Sequence, residues 1–553
     1  MTLNWQGLRW QLLLLLIASP ALMTLASVFA SFFMGDADTM AHLRRYVLPD
    51  AILNSLALVV CVSLLAGFLG VMLAWLTAAC EFPLRRFFSW ALFLPMAVPG
   101  YVMAFALVGM FESNGSLHRS VLASWPELSW WPDVYAFPVV VLCLSLVLYP
   151  YVYLLARNAF QTRGQRSLEV GQSLGLSARQ SFFRVALPMA RPWIAGGILL
   201  VAMETLADFG AVSVFNFDTL TTTIYKAWFS LFSLPAALRI AAALLLFVLV
   251  LIMLERYTRR MQRYADNKSK SLLERRQKLS RLQQALALLA CGVVLLCAFI
   301  LPALQLLAWA MPQRAVELTP RFWSALTGTV WLATMAACIV TVLAVLLAFV
   351  ARTRQGRLVP VLVRLCTMGY ALPGSVLAVG VFVPVAAFAA WLASQGYPSS
   401  WLQGSLLVMM LGYSVRFMAV AYTPLENNLL RVTPSIDLAA QSLGVSGWRM
   451  LKRVHLPMLH SGLLTALVLV FVDVMKELPI TLMTRPFGFN TLAVRIFEFT
   501  SEGQWQRAAM PALAIVGAGL LPVFLLIRGS ESSVSARADV VRAPQATLIY
   551  EQK

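Results

Sequence analysis

Residues 167–175 read Ser-Leu-Glu-Val-Gly-Gln-Ser-Leu-Gly, and residues 435–444 read Ser-Ile-Asp-Leu-Ala-Ala-Gln-Ser-Leu-Gly. Nine residues after each closing glycine comes a second match, Val185-Ala-Leu-Pro188 in one copy and Val454-His-Leu-Pro457 in the other. Such self-similarity at a fixed offset is the signature of an internal repeat. The chain therefore consists of two related halves.

Composition places both halves in a membrane. Of the 553 residues, 60% are hydrophobic and only 12% are charged, whereas soluble domains carry about 25% charged residues. The net charge of +19 does not indicate nucleic-acid binding, because the basic residues sit in short segments between apolar runs, as in cytoplasmic loops. The seven Cys form no C-x-x-C pair and the four His are scattered, which argues against a disulfide framework or a metal cluster.

The apolar runs predict an all-α polytopic protein of about twelve transmembrane helices, because about 20 apolar residues span a bilayer. The first run is also compatible with a signal peptide, but its length favours an uncleaved helix. The run 359–391 is too long for one simple span, and Pro373 and Pro384 are candidate breaks. The predicted spans are 11–33, 54–79, 88–111, 136–157, 193–215, 236–254, 283–310, 326–350, 359–391, 403–424, 461–483 and 506–527.

Basic residues predict the topology. The connector between the sixth and seventh spans holds about ten Lys and Arg, so we place it in the cytoplasm. Both termini and both duplicated loops then fall on the cytoplasmic side of an inner (plasma) membrane. The domain organisation is a first half at 1–255, a basic linker at 256–282, a second half at 283–530 and a tail at 531–553, predicted to be disordered. The linker is also compatible with a simple tether.

Six spans in each half give a parallel repeat, with a pseudo-two-fold axis along the membrane normal. Each duplicated loop carries alternating basic and apolar residues, such as Arg184 beside Phe183 and Arg449 beside Trp448. This pattern suits docking on a soluble partner or lying on lipid. An ordinary surface loop is the plainer interpretation, but the duplication favours docking.

The spacing of an acidic residue, a glycine and a Leu-Pro pair resembles the EAA loop of binding-protein-dependent (type I) ABC importer permeases. In the second half the acidic residue is displaced by one, because Leu438 holds its usual place. The resemblance implies that each loop, near 167–188 and near 435–457, forms a coupling helix on an ATPase subunit. The matching residues are Glu169, Gly175, Leu187, Pro188, Asp437, Gly444, Leu456 and Pro457.

Longer segments resemble the fused ferric-iron permeases of the FbpB type, which implies a periplasmic binding protein that delivers Fe(III). Thiamine permeases are fused in the same way, so thiamine or another small solute stays an alternative substrate. The resembling segments are Tyr149–Arg157, Met203–Gly210, Ile224–Phe229, Ala371–Gly374, Asp473–Pro479 and Arg485–Val494.

The chain has no G-x-x-x-x-G-K-[ST] motif, so it lacks that means of cradling ATP phosphates. We expect no enzyme activity and no cofactor in this chain. A partner ATPase, in two copies to engage two loops, would bind ATP and Mg and hydrolyse the ATP.

Four acidic residues fall within predicted spans. The 269-residue offset of the repeat pairs Glu204 with Asp473 and Asp208 with Glu477, so each half carries two carboxylates on one face of its fifth span. Each would cost about 2.5–3.5 kcal/mol if exposed to lipid. We predict that they line the translocation path without forming a tight metal site, and that replacing Glu204 and Asp473 by Gln and Asn cuts uptake. The alternative is structural: Lys476 neutralises an acid, or the acids cap broken helices.

Other functions fit less well. A secondary transporter of twelve spans is the main rival, but it would not need duplicated docking loops. A channel would need a duplicated selectivity segment, and a membrane enzyme would need a catalytic set in its loops.

Overall fold

The computed structural model describes residues 5–33, 37–113, 115–125, 131–161, 175–265, 277–353, 356, 358–430 and 432–542. The described chain is almost entirely helical. Ten of these helices are long and apolar enough to cross a bilayer, and there are up to twelve spans if each of two bent helix pairs counts as one. The predicted fold class is therefore confirmed.

The first half begins with a long helix and ends with one that runs into the basic linker. Its elements are α1 (Trp5–Ala30), α2 (Ala37–Tyr46), α3 (Leu48–Ala79), β1 (Cys80–Glu81), α4 (Arg85–Ala91), α5 (Gly100–Phe111), α6 (Ser116–Ser124), α7 (Phe137–Ala159), α8 (Ala178–Ser181), α9 (Leu187–Ala207), α10 (Gly210–Val214), α11 (Leu220–Phe229) and α12 (Leu234–Ala265).

The second half repeats this order. Its elements are β2 (Gln277–Lys278), α13 (Arg281–Leu295), α14 (Leu301–Glu317), α15 (Pro320–Thr353), α16 (Leu358–Thr367), α17 (Gly374–Ser394), α18 (Ser400–Gln403), α19 (Leu406–Leu429), α20 (Pro434–Ser442), α21 (Gly447–Met450), α22 (Leu456–Met458), α23 (His460–Lys476), α24 (Pro479–Thr484), α25 (Leu492–Ser501) and α26 (Trp505–Arg542).

The repeat extends to irregular backbone. A π-helical turn occupies Phe182–Ala186 in the first half and Leu451–His455 in the second, at the same 269-residue offset. The third span of each half is also interrupted by a short 3₁₀ turn, at Leu94–Ala97 and Met368–Ala371. Because such breaks are unusual within helices, their recurrence shows that both halves share one architecture.

Each half has its own three-helix centre. In the first half α3, α7 and α9 pack against one another, and in the second half α15, α19 and α23 do the same. Small residues allow close approach: a Cβ on Gly70 would lie 2.6 Å from Cβ of Val152, and a Cβ on Gly197 would lie 2.8 Å from Cα of Val152. Small residues at helix contacts are the usual way that membrane helices gain packing energy.

The first helix of each half packs on the other half. Helix α1 lies against α16 and α17, where the Ser27 hydroxyl donates to the carbonyl of Gly380 over 2.7 Å. Helix α14, which continues the first span of the second half, lies against α5 of the first half, where Trp309 covers Gly109, and against α26 of its own half. A Cβ on Gly380 would lie 2.6 Å from Thr24, and one on Gly109 would lie 2.5 Å from Trp309. We call the packing of α1 and α14 against the opposite half the helix exchange.

The structure refines several predicted spans. The third span is broken in both halves, at Pro99 and at Pro373, whereas Pro384 lies inside the continuous helix α17. The prediction of a break at Pro384 was therefore wrong. The final helix continues to Arg542, into the tail 531–553 for which we predicted disorder. Residues 266–276 of the linker lie outside the described residues, and its end forms a short parallel strand pair with Cys80–Glu81.

Candidate functional site: a central cavity and two duplicated loops

A cavity of about 420 Å³ lies between the two halves. Both broken third spans, both fifth spans, α7, α19 and α26 contribute to its wall. The wall is mainly apolar and aromatic, but six charged side chains interrupt it. They are Glu204, Asp208, Asp473, Glu477, Arg416 and Lys476. The structure thus brings together the four acidic residues that the sequence singled out.

Two of these carboxylates cap helices. The fifth span of the first half stops at Asp208, whose Oδ1 accepts hydrogen bonds from the backbone N–H groups of Ala211 and Val212 over 3.0 and 3.1 Å. At the equivalent position, Glu477 accepts from the N–H groups of Ile480 and Thr481, each over 3.0 Å. Such caps satisfy N–H groups that a new helix leaves unpaired. This arrangement supports the structural alternative for Asp208 and Glu477.

The Pro-Gly pairs lie beside these caps. Helix α5 begins at Gly100 and helix α17 begins at Gly374. A Cβ on Gly100 would lie 3.2 Å from Asp208 Oδ2, and one on Gly374 would lie 2.8 Å from Glu477 Oε1. Glycine is therefore needed here so that the broken third and fifth spans can meet within each half.

The other two carboxylates face the cavity. Glu204 and Asp473 precede the caps by one helical turn and are half-buried. Both interact electrostatically with Arg416, and Asp473 also interacts with Lys476. Charges within a membrane protein are expected to pair in this way. Lys476 thus lies within electrostatic range of Asp473, while both carboxylates line the cavity.

The two cationic side chains also satisfy backbone groups at the broken spans. Lys476 Nζ donates to the carbonyl of Met96 over 3.1 Å, and Arg416 donates to the carbonyl of Leu372 over 2.8 Å. Broken helices inside a membrane need such donors, because no lipid group can pair with the freed carbonyls. Arg416 and Lys476 thus stabilise the helix breaks that shape the cavity, and they also place two positive charges in its wall.

The second duplicated loop is held by a cluster of charged side chains. Arg352 at the end of α15 donates from Nε to Asp437 Oδ2 over 2.7 Å, and His455 Nε2 lies 2.9 Å from Asp437 Oδ1. Arg352 also donates to the carbonyls of Leu429 and Val432 over 2.6 and 2.8 Å. We call Arg352, Asp437 and His455 the loop anchor.

The loop anchor changes the acidity of Asp437. Burial raises the pKa of its carboxyl, but the hydrogen bonds from His455 and Arg352 and their charges outweigh burial and hold the pKa below its ordinary value of 3.8. Asp437 is therefore ionised at neutral pH. Its carboxylate points into the protein, whereas Leu438, which occupies the usual acidic position, is 66% exposed.

The predicted loop glycines have the backbone that favours glycine. Gly175 and Gly444 have φ of +79° and +74°, and no atom lies within 4 Å of where their Cβ atoms would be. The Leu-Pro pairs begin helices in both copies, α9 at Leu187 and α22 at Leu456. Glu169 lies outside the described residues.

Comparison with known proteins matches this architecture. Residues 66–263 match the family described as "Binding-protein-dependent transport system inner membrane component". Across 93% of the chain and 97% of its relative, the sequence is 27% identical to the Fe(3+)-transport system permease protein FbpB 2 of Haemophilus influenzae, a fused two-domain permease.

The chain carries, at residues 66–263, a domain of the binding-protein-dependent transport permeases. It is an ABC permease of the inner membrane rather than an enzyme, and the family works with an ATPase and a periplasmic binding protein. This result sets aside the secondary transporter.

The permease is also 29% identical to the molybdenum transport permease ModB of Haemophilus influenzae, over 33% of this chain and 79% of ModB. It is 28% identical to the sulfate transport permease CysW of Escherichia coli, over 38% of this chain and 72% of CysW.

Sequence analysis of the permease missed four polar residues of the cavity wall, Tyr101, Tyr151, Tyr370 and Arg416. Arg416 had a usable signal, since a base inside an apolar run is as informative as an acid. The tyrosines had none, because aromatic residues are ordinary in membrane helices.

Proposed function

We propose that the permease translocates ferric iron that a periplasmic binding protein delivers. The observation that supports this substrate is the charge of the cavity, whose wall carries four carboxylates and only two cationic side chains. Carboxylate oxygens are the ligands that hard cations prefer. Within the described residues no group of three or more His, Cys, Asp and Glu could hold a metal ion, so the cavity would attract the cation without a tight site.

The same charge separates this permease from some of its relatives. A sulfate ion in this cavity would meet four carboxylates, and like charges at close range repel strongly where water is scarce. The name of FbpB 2, the relative that aligns along nearly the whole chain, specifies Fe(3+). Both considerations favour a cationic cargo.

Energy would come from a separate ATPase, with one copy on each duplicated loop. In this proposal both loops and both termini are cytoplasmic, and ATP and Mg bind to the ATPase alone. The second loop presents apolar side chains that suit such a contact: Leu438, Leu443 and Trp448 are 66%, 80% and 49% exposed. The two halves would then move with the two ATPase copies.

Thiamine is the second candidate, and the aromatic wall of the cavity favours it. Phe93, Tyr151, Phe209, Tyr370 and Phe417 line a volume of about 420 Å³. Pockets of about 300–1,000 Å³ hold small organic molecules, and aromatic faces attract organic cations.

The test is ATPase activity in proteoliposomes that contain the permease, its ATPase and its binding protein. Stimulation by the iron-loaded binding protein, with uptake of ⁵⁵Fe, would support iron transport. Stimulation by thiamine alone would support thiamine as the substrate in place of iron, and the family assignment would stand. Uptake driven by an ion gradient without the ATPase would contradict the proposed energy source.

A further inference from the structure

Two tyrosines stand beside the cavity-facing carboxylates. Tyr151 comes from α7 of the first half, and Tyr370 comes from the broken third span of the second half. Tyr151 and Tyr370 interact electrostatically with each other, and both tyrosines interact electrostatically with Glu204 and Asp473. Four oxygen-bearing side chains, two from each half, therefore converge where the halves meet.

The capping acids do not belong to this group. Asp208 and Glu477 use their oxygens to accept backbone N–H bonds, so their loss would disturb the helix breaks. Glu204 and Asp473 lie one turn away, and their charged partners are the side chains of Arg416 and Lys476 rather than backbone groups. A ligand in the cavity can replace those side-chain partners without unfolding a helix.

A third tyrosine indicates a polar occupant. Tyr101 is only 6% exposed and lines the cavity, yet within the described chain its hydroxyl has no hydrogen-bond partner. A buried hydroxyl without a partner is unfavourable, because it has lost its hydrogen bonds to water and gained none in return. Its place in the wall points to a polar species that passes through the cavity.

We propose that Tyr151, Tyr370, Glu204 and Asp473 form a transient all-oxygen site for ferric iron at the centre of the cavity. This inference rests on the proposed iron transport and adds phenol ligands to it. Phenolate and carboxylate oxygens are hard donors and suit a hard trivalent cation. Each phenol that binds iron releases one proton to water, and the iron stays ferric throughout.

Arg416 and Lys476 keep the site weak. They interact electrostatically with Glu204 and Asp473, so an incoming cation must compete with them for the carboxylates. Both bases are also hydrogen-bonded to carbonyls at the broken third spans. Competition of this kind lets iron enter and leave, as transport requires.

The test combines uptake with spectroscopy on the full permease. Iron bound to phenolate gives a visible charge-transfer absorption band that carboxylates alone do not give. The double variant Tyr151→Phe/Tyr370→Phe removes both hydroxyls and keeps both rings. Tyr397→Phe is the matched control, since Tyr397 is 64% exposed and lies outside the cavity. Each protein is titrated with ferric nitrilotriacetate in detergent and assayed for ⁵⁵Fe uptake in proteoliposomes.

We expect the wild type and Tyr397→Phe to show the band and to take up iron. The double variant should lose the band and at least about tenfold in uptake, equivalent to about 1.4 kcal/mol, while it still co-purifies with the ATPase as evidence of assembly. Wild-type iron uptake that the double variant retains, or a band that it retains, would overturn the tyrosine site and leave the proposed function standing. Absence of iron uptake by the wild type would overturn both.

Discussion

Arg352 binds Asp437 through a 2.7 Å ion pair that ties the second duplicated loop to helix α15. Both side chains are largely buried, at 16% and 18% exposed, so the pair is shielded from salt and solvent more than a surface pair would be. Helix α15 belongs to the packed centre of the second half. We therefore expect a movement of the loop to be transmitted through this pair to the membrane-spanning bundle.

Removing one partner of the Arg352–Asp437 ion pair should uncouple the second duplicated loop from helix α15. We expect Asp437→Asn to cost about 1.5–3 kcal/mol, the usual contribution of a hydrogen bond to a charged group, and to reduce substrate-stimulated ATPase activity more than basal activity. The measurement is the ratio of the two activities in proteoliposomes. Arg44→Gln is the control, because Arg44 is exposed and belongs to α2, away from the loop. An unchanged ratio in Asp437→Asn would contradict the role of the loop anchor.

The loop anchor also predicts acid sensitivity. The pKa of Asp437 is lower in the folded protein than its ordinary value of 3.8, so its stabilising contribution is complete above about pH 5 and is lost as the pH falls through the folded pKa. Melting temperatures of the detergent-solubilised permease, measured from pH 7 to pH 3, should fall below about pH 4. The Asp437→Asn variant should have a lower melting temperature at pH 7, and its melting temperature should fall less steeply as the pH decreases. Parallel curves for the two proteins would contradict this assignment.

The two carboxylates of the fifth span should respond differently to neutral replacements. Asp208→Asn keeps a side chain that can cap a helix, so we expect nearly normal uptake and stability. Asp208→Ala should lower stability by about 1 kcal/mol. Glu204→Gln should leave stability almost unchanged and lower iron uptake about tenfold, because it removes a charge from the path. Equal losses of uptake in Asp208→Asn and Glu204→Gln would contradict this division of roles.

The loop glycines predict a dependence on backbone conformation. No atom lies near the Cβ position of Gly444, so only its φ of +74° opposes a side chain. Gly444→Val should cost about 1–2 kcal/mol and abolish ATPase stimulation. Gly444→Asn should retain most of it, since asparagine tolerates this conformation. The same comparison applies to Gly175. Equal ATPase stimulation in the Val and Asn variants would indicate that the loop excludes any side chain at this position, whatever its backbone conformation.

The helix exchange predicts sensitivity to side-chain volume. Leucine at Gly380 or Gly109 would overlap Thr24 or Trp309, and we expect each variant to lose about 1–3 kcal/mol, measured as a lower melting temperature. Gly517→Leu is the control, because nothing lies within 4 Å of its Cβ position although it also lies in a membrane helix. If the melting temperature of Gly517→Leu falls as far as that of Gly380→Leu, the loss reflects a general effect of replacing helix glycines.

Local signals predicted much of this structure. Apolar runs predicted the spans, and the repeat offset paired Glu204 with Asp473 and Asp208 with Glu477. The different roles within each pair could not be predicted, because capping depends on where the helix stops. Pro479 indicates that stop in the second half, but Gly210 gives a much weaker signal in the first.

Contacts between distant segments had no local signal. The helix exchange joins Ser27 to Gly380, and the loop anchor joins Arg352 to Asp437. Both depend on how complete halves pack. Tyr151 and Tyr370 likewise become neighbours only when the halves assemble.

The helix exchange also sets an order of events during synthesis. Helix α1 leaves the ribosome first, but α17, which it packs against, follows more than 300 residues later. The first helix must therefore wait in the bilayer while seven further spans are inserted and the linker is synthesised. Joining both halves in one chain keeps the late partner at a high local concentration, where two separate polypeptides would have to find each other by diffusion in the membrane.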